Sequence, residues 1–388
     1  MQTIAKPRLI SGKLVLPVAL ALLAMPMTAV QATAQKIIVF DAPGADTAAG
    51  SFNGTFVSGA NNWGAVTGSY VDANNVYHGF LRNPEGRFTT FEAPGADTTA
   101  GSFNGTTPSS INDLGAITGS YFDANGFGHG FLRSPQGKFT TFDVPGAGGS
   151  GSIPIAMNLE GAIVGYYTDS NDSFHAFLRS PEGRFTTWIG PGACTANGSE
   201  GCFGSGNSNV NAFGTVAGGF EDNSGNFVHH GLLRNAEGEF KTFDVPGAGT
   251  GSYQGTGCPG CDIGLNQFGA VAGIYSDANS VNHGFLRSPN GKFTTFDAPG
   301  AGTGSFQGTG CFSDCPVSLN DWGAITGVYT DANFVAHGYL RNPQGKIETV
   351  DPPSSAGTFP FSINDWGVIA GYFIDTNNVF HGFLRIPD

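Results

Sequence analysis

The chain has 388 residues, with 17 basic against 30 acidic side chains and a formal net charge of −13. A balance this acidic repels polyanions and argues against nucleic acid or an anionic membrane surface as a partner. Charged residues are only 12% of the sequence while glycine reaches 61 residues, a composition that suits short strands and tight turns; the regular Phe, Tyr, Ile and Val positions supply the apolar surface that a disordered chain lacks.

Residues 1–34 read as a secretory signal peptide: Lys6, Arg8 and Lys13 precede an apolar stretch from Leu14 to Leu23, and Ala32-Thr33-Ala34 offers small residues for cleavage. That stretch is too short to span a bilayer, no later run approaches the length, and no cysteine lies near the cleavage point to carry a lipid. A secreted product, extracellular or periplasmic and without membrane insertion, is the expectation. Loss of the leader leaves 14 basic against 30 acidic residues, a net charge of −16.

Residues 35–388 read as one repeat-built domain. The tripeptide His-Gly-Phe or a near copy stands at His78, His129, His175, His230, His283, His337 and His381, at intervals of 44 to 55 residues, about one small antiparallel sheet each. At the start, 36–45 matches the last strand of the repeat with no strands before it. In the second copy, Ile111-Asn112-Asp113-Leu114-Gly115 carries turn chemistry and should join a first strand to a second at 116–122. Gly119 inside that strand marks a close backbone approach. Asp123-Ala124-Asn125-Gly126 turns the chain into a third strand at 129–133. Ser134-Pro135-Gln136-Gly137 fits a type I turn into a fourth at 138–143, and a long Gly/Ser/Thr linker follows. The last repeat stops at Asp388 without its fourth strand. The predicted fold is therefore all-β: a seven-bladed β-propeller of four-stranded antiparallel blades, closed by the N-terminal strand pairing into the C-terminal blade. A parallel solenoid is the competing array, with shorter repeats and no consecutive hairpins.

His175-Ala176-Phe177 and its His-Gly-Phe siblings, with the flanking Asn-x-x-Gly-x-Ile-x-Gly pattern, resemble the HAF-type bacterial extracellular repeat over essentially all of residues 36–388. The resemblance implies a secreted bacterial repeat protein and brings no activity and no catalytic residues with it. Six of the seven units have Gly where the family name has Ala, which fits a position that must only avoid bulk.

Asp and His stand six residues apart in the pairs Asp72/His78, Asp123/His129, Asp169/His175, Asp277/His283, Asp331/His337 and Asp375/His381, while the fourth unit departs with Asp222 before His229 and His230. A carboxylate facing an imidazole across a hairpin is raw material for general base catalysis. Copies in every unit read instead as structural hydrogen bonding, because an enzyme needs one site. Asp-x-Asn turns also set oxygens at alternate positions as calcium loops do, but they lack the terminal bidentate carboxylate; turn chemistry explains them without a cofactor. Six cysteines fall in the linkers as Cys194/Cys202, Cys258/Cys261 and Cys311/Cys315 and read as local disulfides in an exported protein. A redox Cys-x-x-Cys or a zinc site from Cys258, Cys261, Cys311 and Cys315 are the rival readings. Trp63, Trp322 and Trp366 share one turn position, filled elsewhere by Leu114, Glu160, Ala212 and Phe268; stacking on a sugar is one reading of an aromatic there, and packing between neighbouring blades is the expected one, since the position accepts Leu and Phe.

These features point to a non-catalytic binding or scaffold module, monomeric, whose partner is a polysaccharide or an extracellular protein. Its Asp-x-Asn turns and long linkers share one end of the ring, where loops on a rigid scaffold concentrate function. The alternative is a propeller glycoside hydrolase or polysaccharide lyase. An enzyme should break the repeat symmetry with converging side chains, and Glu160, Glu221, His229 and Glu239 are scattered without such spacing.

Overall fold

The computed structural model describes residues 36–148, 150–171, 173–193, 208–257, 261–311 and 315–387, and every helix or strand among them is a β-strand. The chain is a β-propeller. In the first repeat, β2 (Gly54–Ala60), β3 (Val66–Val71), β4 (Tyr77–Arg82) and β5 (Phe88–Phe91) pair antiparallel in chain order. β3 is buried at every position because it runs mid-blade with a neighbour on both faces, so its apolar residues do not alternate with polar ones. In the second repeat the strands Ile117–Phe122, Gly128–Arg133 and Phe139–Phe142 fall within a residue or so of the positions read from sequence.

The N-terminal strand β1 (Lys36–Phe40) pairs with the C-terminal strand Phe380–Ile386 over five residues, from Lys36 beside Ile386 to Phe40 beside Gly382. β1 thus serves as the outer strand of the last repeat. Backbone pairing does not run round as one continuous ladder but falls into separate sheets of 12, 4, 9 and 4 strands. Neighbouring repeats meet mainly through side chains. At four junctions a single parallel bridge joins them, Tyr77 to Gly105, Phe380 to Gly54, His229 to Gly255 and Asn282 to Gly308. These glycines have positive φ, and a Cβ on Gly105 would lie 2.0 Å from the Tyr77 carbonyl oxygen, so only glycine fits.

The core sits between repeats. Ile117, Tyr121 and Phe131 of the second repeat pack with Leu81 and Phe91 of the first. The Phe of His-Gly-Phe is among the most buried side chains in five repeats (Phe80, Phe131, Phe177, Phe285, Phe383), with Tyr339 standing for it in a sixth. Its glycine lies under the outer-strand ring: a Cβ on Gly130 would come within 2.4 Å of Phe142. The arginine ending each third strand is folded back into the same junction, as where Arg133 lies 4.7 Å from the Phe91 ring centroid and Arg234 lies 4.8 Å from Trp188. Burial lowers the pKa of Arg133 and Arg234. Seven of the 14 basic residues that follow the leader, the third-strand arginines Arg82 to Arg385, are therefore interior glue rather than a surface patch. Among the described residues no helix is long and apolar enough to cross a membrane.

Candidate functional site: the axial mouth

The turn between the first and second strands supplies the innermost side chains. In each repeat its asparagine is buried, and the side chain does two things at once. Oδ1 of Asn61 accepts from the Ala65 N–H four residues on at 2.9 Å, closing its own turn, while Nδ2 donates to the Asn112 carbonyl of the next repeat at 3.1 Å. The second contact continues from Asn112 to Asn158, Asn211, Asn266, Asn320 and Asn364, at 3.0 to 3.3 Å, and Asn364 donates back to Asn61 at 3.1 Å. Only a short amide offers an acceptor and a donor in this geometry. Sequence reasoning read these asparagines as turn formers and missed the contact between repeats.

The residue after each asparagine forms a second, incomplete set of links. Backbone N–H groups of Asn62, Asp321 and Asp365 donate to Asp113, Asp365 and Asn62 at 2.8 to 2.9 Å, and Gln267 N–H donates to Asp321 at 2.8 Å. Asn62 Nδ2 bridges Asp113 and Asp365 at 3.0 and 2.9 Å. Burial, with repulsion from Asp365 and Asp113, raises the pKa of Asp321 against the Gln267 N–H that lowers it. A cavity of about 230 Å³ lies among these asparagines, aspartates and Gln267, and a second of about 150 Å³ is lined by first-strand residues including Ser58, Ser109, Ser110, Ser318 and Ser362. The arrangement offers amides, hydroxyls and carboxylates, and among the described residues no cation lines either cavity.

The same turns carry exposed apolar side chains just past the lining residues: Trp63, Leu114, Phe213, Phe268, Trp322 and Trp366 are each 66 to 73% accessible. The expectation that they pack between blades is wrong. Trp322 N–H donates to Asn320 Oδ1 at 3.1 Å, and this tight turn spends the inter-blade direction on the asparagine, leaving the residue two positions on to point outward. In the fourth repeat the equivalent side chain is Phe213, whose N–H bonds Asn211 Oδ1 at 3.1 Å; Ala212 occupies the preceding position. Glu160, the polar member, is exposed as well.

The repeat histidines lie elsewhere, between the second-to-third-strand turn and the linker end. Their nearest partner is a carboxylate fourteen residues on: His129 Nδ1 meets Asp143 at 2.8 Å, and His78, His230, His283 and His337 meet Glu92, Asp244, Asp297 and Asp351 likewise. His381 closes the series on Asp41, next to β1, at 2.9 Å. The aspartates six residues before are longer contacts at Nε2, 3.4 Å for Asp72/His78, 3.7 Å for Asp123/His129 and Asp277/His283, 3.8 Å for Asp331/His337 and 3.6 Å for Asp375/His381. Asp169/His175 is hydrogen-bonded at 3.1 Å, in the repeat where Ile189 takes the place of the later carboxylate. In the fourth repeat His230, not His229, continues the series, 3.6 Å from Asp222. Each ring also lies against an aromatic neighbour, as His129 stacks on Tyr121 at 4.9 Å between centroids. The later carboxylate was readable as the acid that follows each outer-strand Phe.

In the Asp-x-Asn turns, Asp123 Oδ1 accepts from the Asn125 and Phe127 N–H groups at 2.9 Å and Oδ2 accepts from Asn125 Nδ2 at 3.1 Å, which lowers the Asp123 pKa, the Phe127 contact foremost. Both carboxylate oxygens of the turn thus accept from the protein's own donors. Cys311 and Cys315 form a disulfide, and Cys261 is disulfide-bonded, an arrangement that removes thiolates from the zinc alternative. Cys194, Cys202 and Cys258 lie outside the described residues. Of the four symmetry-breaking candidates, Glu221 and His229 come together, at 3.6 Å and both buried, while Glu160 and Glu239 are exposed on other turns. Burial pushes the His229 pKa down to about 4.

No protein-family model matches the chain, and no characterised relative matches it by sequence. Solved structures do resemble it. The BP39L lectin from Burkholderia pseudomallei aligns with a TM-score of 0.52 at 10% identity, over 84% of this chain and 94% of that one. AofleA from Arthrobotrys oligospora gives 0.47 at 12% identity over 82% and 91%, and the six-bladed propeller lectin of Aleuria aurantia 0.41 at 13% over 76% and 95%. At these identities the first likeness carries the fold and nothing more.

Proposed function

We propose that this protein is a secreted, closed seven-bladed propeller that binds neutral carbohydrate without catalysis, at the axial mouth. One observation carries the reading: exposed Trp63, Trp322 and Trp366, with Leu114, Phe213 and Phe268, each follow within three residues of a side chain that lines a cavity of amides, carboxylates and hydroxyls. Aromatic faces that fold nothing beneath them, beside convergent hydrogen-bonding groups and no cation, suit a sugar ring. The asparagine contacts that return to Asn61 and the β1 pairing support closure and the count of seven. The leader at residues 1–34 and the likeness to HAF-type repeats support export. On this reading the Asp–His–carboxylate contacts are structural pins, calcium is not required, and the module acts as a monomer. The lectin among the similar solved structures is in keeping with a sugar ligand, although the site chemistry bears the argument. A hydrolase or lyase needs an acid and base open to a polymer, and Glu221 with His229, the pair that breaks the repeat pattern, is buried.

The test is retention on a neutral glycan array with and without chelator, comparing the native protein with Trp322→Ala/Trp366→Ala. The expected result is chelator-independent binding that falls about five- to 150-fold in the variant, the loss of two stacking contacts of about 0.5–1.5 kcal/mol each. Equal retention by the variant refutes the axial site, and turnover of any glycan refutes the non-catalytic assignment.

A further inference from the structure

The opposite end of the molecule carries a second set of exposed aromatics, and these are held by strained backbone. The sequence Ser-aromatic-amide-Gly occurs four times in the linkers, at Ser51-Phe52-Asn53-Gly54, Ser102-Phe103-Asn104-Gly105, Ser252-Tyr253-Gln254-Gly255 and Ser305-Phe306-Gln307-Gly308. Phe52, Phe103, Tyr253 and Phe306 have φ of 54, 55, 57 and 63°, in the left-handed region that bulky side chains avoid. They are nevertheless 60, 61, 44 and 45% accessible to solvent. Folding alone selects against this combination: asparagine or glycine would meet the backbone demand with less strain, and an exposed ring returns little burial. Strain that recurs at equivalent positions and displays a side chain to solvent is the mark of a functional surface.

The display is rigid. The N–H of Phe52, Phe103, Tyr253 and Phe306 donates to a turn carbonyl of the preceding repeat, at Asn378, Asn75, Asn226 and Ser280, over 2.7 to 3.1 Å. The amide that follows is anchored in turn: Asn53 Nδ2 reaches Asn75 at 2.9 Å, and Gln307 Nε2 reaches the Ala332 carbonyl at 3.1 Å. At the third junction Tyr253 stacks on Phe227 with centroids 5.7 Å apart. Each of these residues is thereby tied through its backbone to the second-to-third-strand turn of the preceding repeat, which carries amide and carbonyl groups. That chemistry fits a neutral pyranose, its C–H face on the ring and its hydroxyls on the turn.

We infer that these four blade junctions are equivalent carbohydrate-stacking sites, which together grip one neutral polysaccharide chain at several points. The inference rests on the sugar-binding reading above and adds to it a second face and a multivalent mode. Four weak sites on a rigid ring exceed any one of them in avidity on a polymer while binding short sugars weakly.

The experiment replaces Phe52, Phe103, Tyr253 and Phe306 with Asn, singly and together. Asn tolerates the left-handed region, so the fold should persist or gain in Tm, whereas a merely structural role for the rings predicts a lower Tm. Binding is read by surface plasmon resonance on immobilised galactomannan, xyloglucan and β-1,3-glucan, with Trp322→Ala/Trp366→Ala run in parallel. The expected result is a loss of a few fold for each single variant and of at least about a hundredfold for the quadruple, with Tm held or raised. Full binding by the quadruple with loss in the tryptophan pair overturns the junction sites and leaves the axial site standing. Loss in the quadruple alone establishes the junction sites and refutes the axial one. Native protein that binds none of the three polymers overturns both.

Discussion

Replacing Asn320 by Asp tests whether the asparagine amide, rather than its size, locks the repeats together. The side chains are nearly isosteric, and the carboxylate keeps the acceptor that Asn320 Oδ1 presents to Trp322 and Ala324 N–H, at 3.1 and 2.8 Å. What disappears is the donor to the Asn364 carbonyl at 3.0 Å, and in its place an oxygen faces an oxygen at a position only 5% accessible. Loss of the bond costs about 1 kcal/mol, and the buried, uncompensated charge raises the total to about 3 kcal/mol. The aspartate lowers that cost by holding its proton, so its folded pKa lies above the ordinary value of about 3.9. The penalty is therefore absent below that ordinary value, where the protonated acid donates to Asn364 as the amide did, and grows as pH rises through the folded value. Guanidinium denaturation of the native protein, Asn320→Asp and Asn320→Ala at pH 4 and pH 8 separates the terms. Alanine leaves the Ala324 N–H without its acceptor as well, and should lose about 2–4 kcal/mol at both pH values. An Asn320→Asp deficit under about 0.5 kcal/mol at pH 8, or one equal at both pH values, refutes the reasoning.

Three further outcomes are expected. The hydrogen bond that the His230 ring donates to Asp244, foremost, raises the His230 pKa, so NMR titration should place it above the ordinary histidine value of about 6.5 and Asp244→Asn should bring it down; the stability it contributes is full below that ordinary value and lost as pH rises through the folded one. Gly284→Ala would set a Cβ 2.4 Å from the Phe296 ring and should cost about 1–3 kcal/mol in denaturant, whereas Ala176→Gly in the third repeat should cost about 1 kcal/mol or less. Replacing Cys311 and Cys315 together by Ser opens a very short loop and should cost about 2 kcal/mol at most, with the far-ultraviolet circular dichroism unchanged at 25 °C; a collapse of the β spectrum would show that the bridge holds the ring rather than the linker.

The strands were legible because each repeat pairs turn residues with β-formers at fixed offsets, and because 36–45 matched the fourth strand of the repeat. The long-range partners were not. Asn112 and Asn158 are 46 residues apart, and nothing local distinguishes an asparagine that closes its own turn from one that also reaches across a junction. The histidines were paired with the aspartate six residues before because a hairpin brings such residues together, yet the nearer carboxylate comes from the adjacent outer strand fourteen residues on. Trp63, Trp322 and Trp366 were misplaced for a related reason: size suggested burial, whereas the asparagine two residues before had already taken the inward direction.

Comparison among the repeats separates what the fold demands from what it merely permits. In the first turn, asparagine is fixed by its two hydrogen bonds, and the glycine three residues on is fixed by φ of 75 to 88° in every repeat. The position between them and next to the glycine is under neither demand, points to solvent, and accepts Trp, Leu, Glu and Phe alike. A solvent-facing turn position with no packing partner drifts toward polar residues if folding and solubility alone act on it. Here six of the seven are apolar and three are Trp, so something other than folding holds them. The linker aromatics make the same case with the sign of the backbone term reversed, since there the conformation opposes the residue it carries. Where a repeat protein tolerates variation but does not become polar, and where it keeps strain it has no structural use for, the surface it presents is the place to look for the ligand.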